Sequence, residues 1–413
     1  MTRLLPLTAL LFLAMPAAAQ TLTVTGGQAD LTGVVVTAPL PAGSAESVNV
    51  VELPDGRHAA AQIAAPSLLS DAKGKQLTFV LPALPAGGSV RIRPATLNYI
   101  KAPPHFRFVE NKGEGATDLV FEKQPVLRYA HAAHDASTPE RHDLTFKPFH
   151  HVFEPSKGEH LLTSGAYPFS DKSKLFPHHR GLFYGWMRIT YGDKQQADTW
   201  HGRKGEFTEH DKTIVQEAGE VFGRQRSAIS WHGPDGKTFA QEEREVTAYR
   251  VPGGTLIDFA SVLRTDLPKV RLDGDPQHAG FHFRATQEVS KDTKGQTYYL
   301  RPDGKDQPGQ TRNWDAKTRD PKTVNLPWNA MSFVTHGKRY TVLRMSHPAN
   351  PKESRGSERD YGRFGDYFEY DLTPEKPLKI RYRVWVQEGE MTKEECENLH
   401  RAFVDPPMVS ASN

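Results

Sequence analysis

The sequence has a single cysteine and little excess of either positive or negative charge. Its 413 residues include one cysteine, Cys396, which excludes an intramolecular disulfide and a cysteine-ligated zinc or iron–sulfur site. The formal net charge is +3 without blocks of like charge, which argues against a nucleic-acid partner. The sequence also lacks Gly-x-Ser-x-Gly, Walker, dinucleotide-binding and His-Glu-x-x-His motifs, so these signatures of hydrolases, nucleotide-binding proteins and zinc proteases are missing.

A leader-like apolar run stands at residues 4–15, after Arg3 and before the small residues Ala17 to Ala19. This pattern predicts a signal peptide over residues 1–19, cleaved near Ala19. The run is too short to favour a membrane span. We therefore expect a periplasmic or extracellular protein that is not inserted in the membrane after leader removal.

Turn-forming residues are plentiful, with 33 glycines and 31 prolines, and they separate short segments of alternating hydrophobicity. This pattern predicts an all-β fold. Residues 20–102 are interpreted as an immunoglobulin-like β-sandwich that serves as a scaffold, because they contain one histidine, His58, and no tryptophan. After a linker at residues 101–111, residues 115–390 are predicted to form a large antiparallel β-sandwich. Residues 391–405 are predicted to form a C-terminal helix with a Thr392–Glu395 capping box, in which Cys396 is a buried apolar residue.

The densest polar cluster is His178-His179-Arg180, between Pro177 and Gly181. The flanking residues predict a turn that enters a strand. The two imidazoles could supply a general acid, and the guanidinium a fixed positive charge for an oxyanion or carboxylate. The alternative is a hydrogen-bonded turn that only ties loops together.

A second cluster contains His278, His282 and Arg284. Strand alternation predicts Phe281 and Phe283 in the core and the polar side chains on the opposite face. On one strand the two histidines would stand about 13 Å apart, too far to share a metal ion. We interpret the row as the floor of a groove for an oxygen-rich ligand, with a solvated face as the alternative.

Two tryptophans stand beside polar residues, in Asp198-Thr199-Trp200-His201 and in Trp328-Asn329. An indole over the apolar face of a sugar is a common means of carbohydrate recognition. A position in the core is an equally good interpretation of each tryptophan.

The last cluster is the loop that contains Glu358, Arg359, Asp360 and Arg363. Charges of both signs at such a loop could present carboxylates and arginines to a site. A self-satisfied network of salt bridges is the alternative.

These clusters, in this order, resemble the secreted bacterial proteins called PmoA-like, or "methane oxygenase" in older usage. The resemblance covers roughly residues 115–405. The motifs that carry it are Pro125–Tyr129, Pro177–Phe183, Asp198–His201, Gly274–Phe281, Leu326–Asn329 and the loop Ser357–Gly365.

Members of this family are typical of bacteria that degrade polysaccharides, and their β-rich pattern is similar to the galactose mutarotase-like supersandwich. That fold hosts sugar epimerases, polysaccharide lyases and domains of glycoside hydrolases. The resemblance therefore implies a carbohydrate ligand. Oxygenase chemistry at a membrane copper site would need several spanning helices, for which the sequence offers only the leader.

The leading hypothesis is a secreted carbohydrate-active enzyme, a hydrolase, lyase or epimerase, without a cofactor or a metal ion. Its alternatives are a non-catalytic glycan-binding protein and a histidine-ligated, metal-dependent oxidase. Oligomeric state is left open. The catalytic candidates are His178, His179, Arg180, Glu358 and Asp360. The substrate-binding candidates are Tyr129, Asp198, Trp200, His201, His278, His282, Arg284, Trp328, Asn329, Arg359 and Arg363.

Overall fold

The computed structural model describes residues 20–41, 44, 47–165 and 178–412, which form mainly antiparallel β-strands. The helices are α1 (Pro139–Thr145) and α2 (Lys393–Val404). The strands up to the middle of the chain are β1 (Thr21–Thr25), β2 (Leu31–Pro39), β3 (Val50–Glu52), β4 (His58–Ala64), β5 (Gln76–Leu84), β6 (Ser89–Ala95), β7 (Phe106–Asn111), β8 (Ala116–Phe121), β9 (Gln124–Ala130), β10 (Phe149–Val152), β11 (Leu182–Trp186), β12 (Arg188–Tyr191), β13 (Gln195–Ala197) and β14 (Phe207–Ala218).

The later strands are β15 (Phe222–His232), β16 (Thr238–Val251), β17 (Gly254–Arg264), β18 (Val270–Asp273), β19 (Ala279–Arg284), β20 (Tyr298–Arg301), β21 (Gly304–Lys305), β22 (Arg312–Asn313), β23 (Trp328–Thr335), β24 (Lys338–Ser346), β25 (Arg355–Arg359), β26 (Arg363–Tyr367), β27 (Tyr370–Leu372), β28 (Leu378–Glu388) and β29 (Met408–Ser412). Within the described ranges, no helix is long and apolar enough to cross a membrane.

Two nine-stranded sheets dominate the described part of the chain. The front sheet has the order β22-β25-β26-β19-β11-β10-β9-β8-β7, and the back sheet has the order β14-β15-β16-β17-β28-β24-β23-β20-β21. The main hydrophobic core lies between them, with Leu182 and Phe281 from the front sheet and Phe259 and Val384 from the back sheet. A smaller sheet, β13-β12-β18-β27, adds to the same core.

Strand alternation gives the front sheet two different faces. In β19, Phe281 and Phe283 point into the core, as the sequence pattern predicts, so His282 and Arg284 lie on the opposite face. The same alternation in β11 places Phe183 on that opposite face, where it packs against Trp200. We call this side of the front sheet, turned away from the back sheet, the site face.

The N-terminal residues form a seven-stranded sheet of the order β2-β5-β4-β3-β6-β1-β29. Strands from distant positions in this order share one core, which contains Val24 of β1, Val36 of β2 and Phe79 of β5. The sheet therefore curls around its own hydrophobic side chains. Its last strand, β29, comes from the C-terminal end of the described residues and pairs with β1, from Thr21 opposite Ser412 to Thr25 opposite Met408.

The C-terminal helix begins at its predicted capping box. The backbone N–H of Glu395 donates to Thr392 Oγ1 at 3.2 Å, while the Glu395 carboxylate accepts from the Thr392 backbone. Cys396 is buried with Phe222 and Trp385 between the N-terminal sheet, the helix and the back sheet. Burial raises the pKa of the Cys396 thiol to about 12, as expected of a buried apolar residue rather than a nucleophile.

The all-β sandwich fold and the short C-terminal helix are confirmed. One local expectation is wrong, because the segment interpreted as a linker contains the edge strand β7, in which Phe106 is buried. The helix is followed by β29, for which the sequence analysis made no prediction. The predicted signal peptide and Pro177 lie outside the described residues, and the division into domains stays a prediction.

Candidate functional site

The turn before β11 depends on Gly181. Its φ is +48°, and a Cβ there would lie 2.1 Å from the carbonyl oxygen of His150, so a side chain has neither the backbone conformation nor the space. The Gly181 carbonyl accepts from the Arg284 backbone N–H at 2.9 Å. The turn is therefore fixed to β19, and it holds His178, His179 and Arg180 at the site face.

An aspartate orients His201. Asp198 Oδ1 accepts from the backbone N–H groups of Trp200 and His201, at 3.1 and 2.9 Å. Its other oxygen, Oδ2, accepts from His201 Nδ1 at 2.8 Å. This bond fixes the proton on Nδ1 and leaves Nε2 available for another partner.

A second aspartate orients His278 in the same way. Asp275 Oδ1 accepts from the Gln277 backbone N–H at 2.8 Å and from His278 Nδ1 at 3.0 Å. His278 lies in the turn before β19, not on the strand as expected from the alternation. The side chains of His278 and Asp275 are 33% and 39% exposed, so this pair is open to solvent.

The two Asp–His pairs meet at one place. The ring centroids of His201 and His278 are 5.1 Å apart, and His178 lies 4.5 Å from His201 and 6.4 Å from His278. The pKa of His178 is lowered by burial and by the neighbouring His201, so this ring is neutral at physiological pH. The site thus contains two carboxylate-supported imidazoles and a third, neutral one.

Beneath these rings lies a layer of buried aromatic and cationic side chains. Trp200 lies 4.8 Å from His282 and 6.4 Å from His278 between ring centroids. Lys147 Nζ donates to the Trp200 carbonyl oxygen at 2.7 Å. Arg363 Nη1 donates to His282 Nδ1 at 2.9 Å, while His282 Nε2 donates to the Ala279 carbonyl oxygen at 2.8 Å.

Burial and positive charge control the ionisation of this layer. Burial holds the pKa of His282 well below its ordinary value, and Arg363 lowers it further. The same two causes act on His179. The pKa of Lys147 is lowered strongly by burial and by Arg180, and burial lowers the pKa of Arg180 itself to about 9. The histidines of this layer are therefore neutral, and their environment resists further positive charge.

A cavity of about 350 Å³ lies beside Asp198. Its other lining residues include Arg203, Glu206 and Asp273. The Asp198–His201 pair thus stands between this polar cavity and the buried layer.

Within the described ranges, no three His, Cys, Asp or Glu side chains are arranged to hold a metal ion. The aspartate bonds fix the Nδ1–H tautomer of His201 and His278. Groups held in this way are suited to proton transfer.

The predicted catalytic role of Glu358 is not compatible with its position. Its side chain points into the core, where it is 2% exposed, pairs with Arg301 and accepts from Asn329 Nδ2 at 2.8 Å. Because neighbouring strand residues face opposite ways, Ser357 rather than Glu358 reaches the site face, and it accepts there from Arg363 at 3.0 Å.

Asn329 and Trp328 are also buried away from the site. Asn329 accepts from Arg344 Nε at 3.0 Å in the interior network, and Trp328 packs in the core beneath the N-terminal sheet. Trp200 is fully buried as well. Neither tryptophan offers a free indole face for a sugar, so both predicted platforms are wrong.

Tyr129 belongs to a different cluster inside the sandwich. Its ring stacks on His150 at 4.6 Å, and its hydroxyl lies 3.2 Å from His210 Nδ1. It is buried and therefore does not join the two Asp–His pairs.

Arg359 is the last residue of β25, and Asp360 lies in the turn that leads to β26. Both are next to Tyr361, whose ring is parallel to that of His179 at 6.2 Å between centroids. His282 and Arg284 are on the predicted face, but both are fully buried, and Arg284 donates to the Tyr361 carbonyl oxygen and to Ser290 Oγ. They therefore support the site from below and do not form the floor of an open groove.

Sequence analysis missed Lys147, Ser357 and the role of Asp275. A signal for Asp275 is present, because both pairs have the spacing Asp-x-x-His, at 198–201 and at 275–278. This spacing lets one carboxylate bind a backbone N–H and the imidazole together. Lys147 has no comparable signal in its local sequence.

The fold and the site together define an all-β sandwich protein with a histidine-rich site on one sheet. The chain belongs to a family of unknown function (DUF6807), whose model matches residues 116–401. No curated protein matches the chain. Membership of the PmoA-like group stays a prediction.

Among solved structures, the chain is similar to a protein in glycosyl hydrolase family 38 from Enterococcus faecalis, with 8% identity and a TM-score of 0.45 over 96% of this chain and 48% of that one. It is also similar to an α-mannosidase from Enterococcus faecalis V583, with 10% identity and a TM-score of 0.46 over 97% and 46%. The chain spans about half the length of these proteins. At this level the likeness does not bear on the activity.

Proposed function

We propose that the protein is a carbohydrate-active enzyme that transfers protons through His201 and His278. The observation that carries this proposal is the pair of Asp-x-x-His units whose rings lie 5.1 Å apart, with the His278 unit open to solvent and the His201 ring buried beside it. In each unit the carboxylate holds Nδ1–H, so Nε2 is the atom that faces a reactant. Two such atoms can serve as the donor and the acceptor for two oxygen atoms of one ligand.

The sugar class is supported by the chemistry of the two Asp–His pairs. Asp198, Asp275 and His278 are partly exposed, and His201 is buried beside them. Together they offer hydrogen-bond acceptors and switchable donors, which suit a polyhydroxylated ring. The resemblance of the sequence motifs to proteins of polysaccharide-degrading bacteria points to the same class. Hydrolysis, elimination and epimerisation all need such a donor–acceptor pair.

His178 and His179 take revised roles in this proposal. His178 contacts His201 and is neutral, so it serves as a hydrogen-bonding group for a substrate hydroxyl. His179 lies deeper and is nearly fully buried, where it positions His178. We therefore assign the proton-transfer role that the sequence predicted for His179 to His201 and His278 instead.

The experiment is a screen of purified protein against polysaccharides and oligosaccharides, read by mass spectrometry, with His201→Asn and His278→Asn beside the wild type. Asparagine keeps a donor at the Nδ1 position for the aspartate and removes Nε2. We expect turnover to fall by about 10²-fold or more, with thermal unfolding nearly unchanged.

His58→Asn is the matched control, because His58 is exposed in the N-terminal sheet. Unchanged turnover in the two folded site variants would refute the assignment. A glycan that binds tightly without any change of mass or anomeric composition would favour a binding protein instead.

Export is part of the same proposal. We expect the mature chain to begin near Gln20 and to occur in the periplasmic or culture fraction, which N-terminal sequencing would test. Intact Met1 in the cytoplasm would contradict it. We assign the N-terminal sheet a scaffold role, since it lies on the far side of the back sheet from the two Asp–His pairs.

A further inference from the structure

We propose that the substrate of this site is an acidic sugar, whose carboxylate is bound beside Trp200, between Lys147 and the His282–Arg363 pair. The inference rests on the proposed function, and it names the substrate class. It is carried by the partners of the buried cations in the core between the two large sheets and on the site face.

In the interior, buried arginines are matched by carboxylates. Arg244 contacts Glu242 at 2.7 Å, and Arg344 contacts Asp366 at 2.9 Å. Arg301 pairs with Glu358. This is the expected arrangement, because a buried charge without a counter-charge is costly.

On the site face, Arg363 is fully buried but has neutral partners. It donates to His282 Nδ1, to Ser357 Oγ at 3.0 Å and to the Tyr361 hydroxyl at 3.1 Å. Among the residues that the structure describes, no carboxylate lies within 4 Å of its guanidinium.

Lys147 shows the same feature. Its ammonium lies over the rings of Phe146, Phe183 and Trp200, at 4.8, 4.6 and 5.4 Å from their centroids, and it donates to a backbone carbonyl. Over the described ranges this amine also lacks a carboxylate within 4 Å. The buried Lys147 amine thus lies over the Trp200 ring, and Arg363 is bonded to His282, whose ring lies 4.8 Å from that of Trp200. A bound carboxylate would counter the burial that lowers the pKa of Lys147 and so favour its charged form.

Trp200 supplies the second, independent observation. Its Nε1 is buried and has no hydrogen-bond partner among the described residues. An indole N–H is a donor only, so an acceptor atom of a ligand would satisfy it. The Trp200 ring lies 6.4 Å from that of His278, whose side chain is accessible, so a sugar held by the two Asp–His pairs can direct an acidic group inwards.

A carboxylate fits these three groups. It accepts several hydrogen bonds at once and pairs with guanidinium and ammonium groups through strong, charge-assisted bonds. It also supplies a counter-charge to Arg363 and Lys147, which have no carboxylate within 4 Å among the described residues. A sulfate ester shares this chemistry, so the two anions must be separated by experiment.

The test is equilibrium binding of oligoglucuronides, oligogalacturonides and oligomannuronides by the full chain. Each is compared with its carboxyl-reduced counterpart, which keeps the ring and linkage and carries a hydroxymethyl group instead. Sulfated neutral oligosaccharides form a third arm. We expect at least one uronide to bind about 10- to 100-fold more tightly than its reduced form, as lost charge-assisted hydrogen bonds imply.

Lys147→Met keeps the length of the side chain and removes the charge. It should reduce the preference for the uronide over its reduced form about 10-fold. Arg363→Gln is a second variant, with thermal unfolding measured on both. Lys379→Gln is the control, because it removes the same charge from an exposed position of β28.

Equal binding of the uronides and their reduced forms overturns the inference, and so does a preference for the sulfated arm. Conversion of neutral glycans alone leaves the proposed function intact and removes the acidic substrate. If a uronide binds in a charge-dependent way but is never converted, the acidic ligand is supported and the proposed enzyme function is refuted. Failure of every glycan to bind or react ends both.

Discussion

Arginine side chains are buried both in the core between the two large sheets and on the site face, but they have different partners. Facing the core, Arg244 forms a two-pronged bond with Glu242, which also accepts from Trp231 and Ser261. On the site face, Arg363 is held by a histidine, a serine and a tyrosine. In the first arrangement a carboxylate balances the charge of Arg244. In the second, no described carboxylate within 4 Å balances the charge of Arg363.

The difference separates polar groups that complete the interior from those to which we propose a function. A buried carboxylate such as Glu358 is a common choice for a catalytic acid, and burial does raise its pKa. Its bonds to Arg301 and Asn329 nevertheless show that it serves the interior network. The Asp198 and Asp275 carboxylates, which are partly exposed and bonded to imidazoles, are the acids that a ligand can reach.

The largest effect on stability is expected at low pH, because acid protonates histidines that are buried and neutral in the folded protein. Burial lowers the pKa of His151 to about 3, and the pKa values of His179 and His282 also lie well below the ordinary 6.5. The unfolded chain therefore binds more protons below pH 6.5, and stability that is fully present above this pH is lost as the pH falls towards the folded-state values. For three such groups the loss is about 4 kcal/mol per pH unit below pH 6.

Urea unfolding between pH 7.5 and 4.5 measures this loss. His282→Gln keeps a donor for the Ala279 carbonyl oxygen and should reduce the slope by about one proton. A free energy of unfolding that stays level from pH 7 to pH 5 would show that these histidines are not buried and neutral.

The next largest effect is expected in the interior. Glu242→Gln keeps the shape of the side chain but removes the counter-charge of Arg244, which is itself buried. We expect a loss of about 3 kcal/mol in the free energy of unfolding, because breaking a buried pair leaves one charge uncompensated. Chemical denaturation measures it, and a loss below about 1 kcal/mol would contradict the structural role of the pair.

The smallest effect is expected on the site face. Ser357→Ala removes one neutral acceptor from Arg363 and one donor to Asn313. We expect about 1–2 kcal/mol, in line with hydrogen bonds to charged groups. If the serine variant were as damaging as Glu242→Gln, the site face and the core would not differ in the way described.

Much of the fold was predictable because strand alternation records burial directly. Phe281 and Phe283 in β19 follow the two-residue period, and the Thr392–Glu395 capping box marks the start of α2. β7 and β29 were not predicted, since short edge strands depend on their partners more than on their own sequence.

The site was only partly predictable, because its acids were judged by proximity in sequence to other charges. Glu358 stands next to Arg359 in the chain, yet the strand turns its side chain to the other face of the sheet. Asp275 was passed over, although it stands three residues before His278, as Asp198 does before His201. Lys147 meets Trp200 only through the tertiary fold.

The pairing of β1 with β29 has a consequence for synthesis on the ribosome. The N-terminal sheet emerges first, but the strand that covers the outer side of β1 is translated only after both nine-stranded sheets. Until then β1 presents an unpaired strand edge, which other chains can join. We therefore expect nascent chains, and chains shortened at the C-terminus, to depend on chaperones. The strand edge of β1 is covered only when β29 pairs with it.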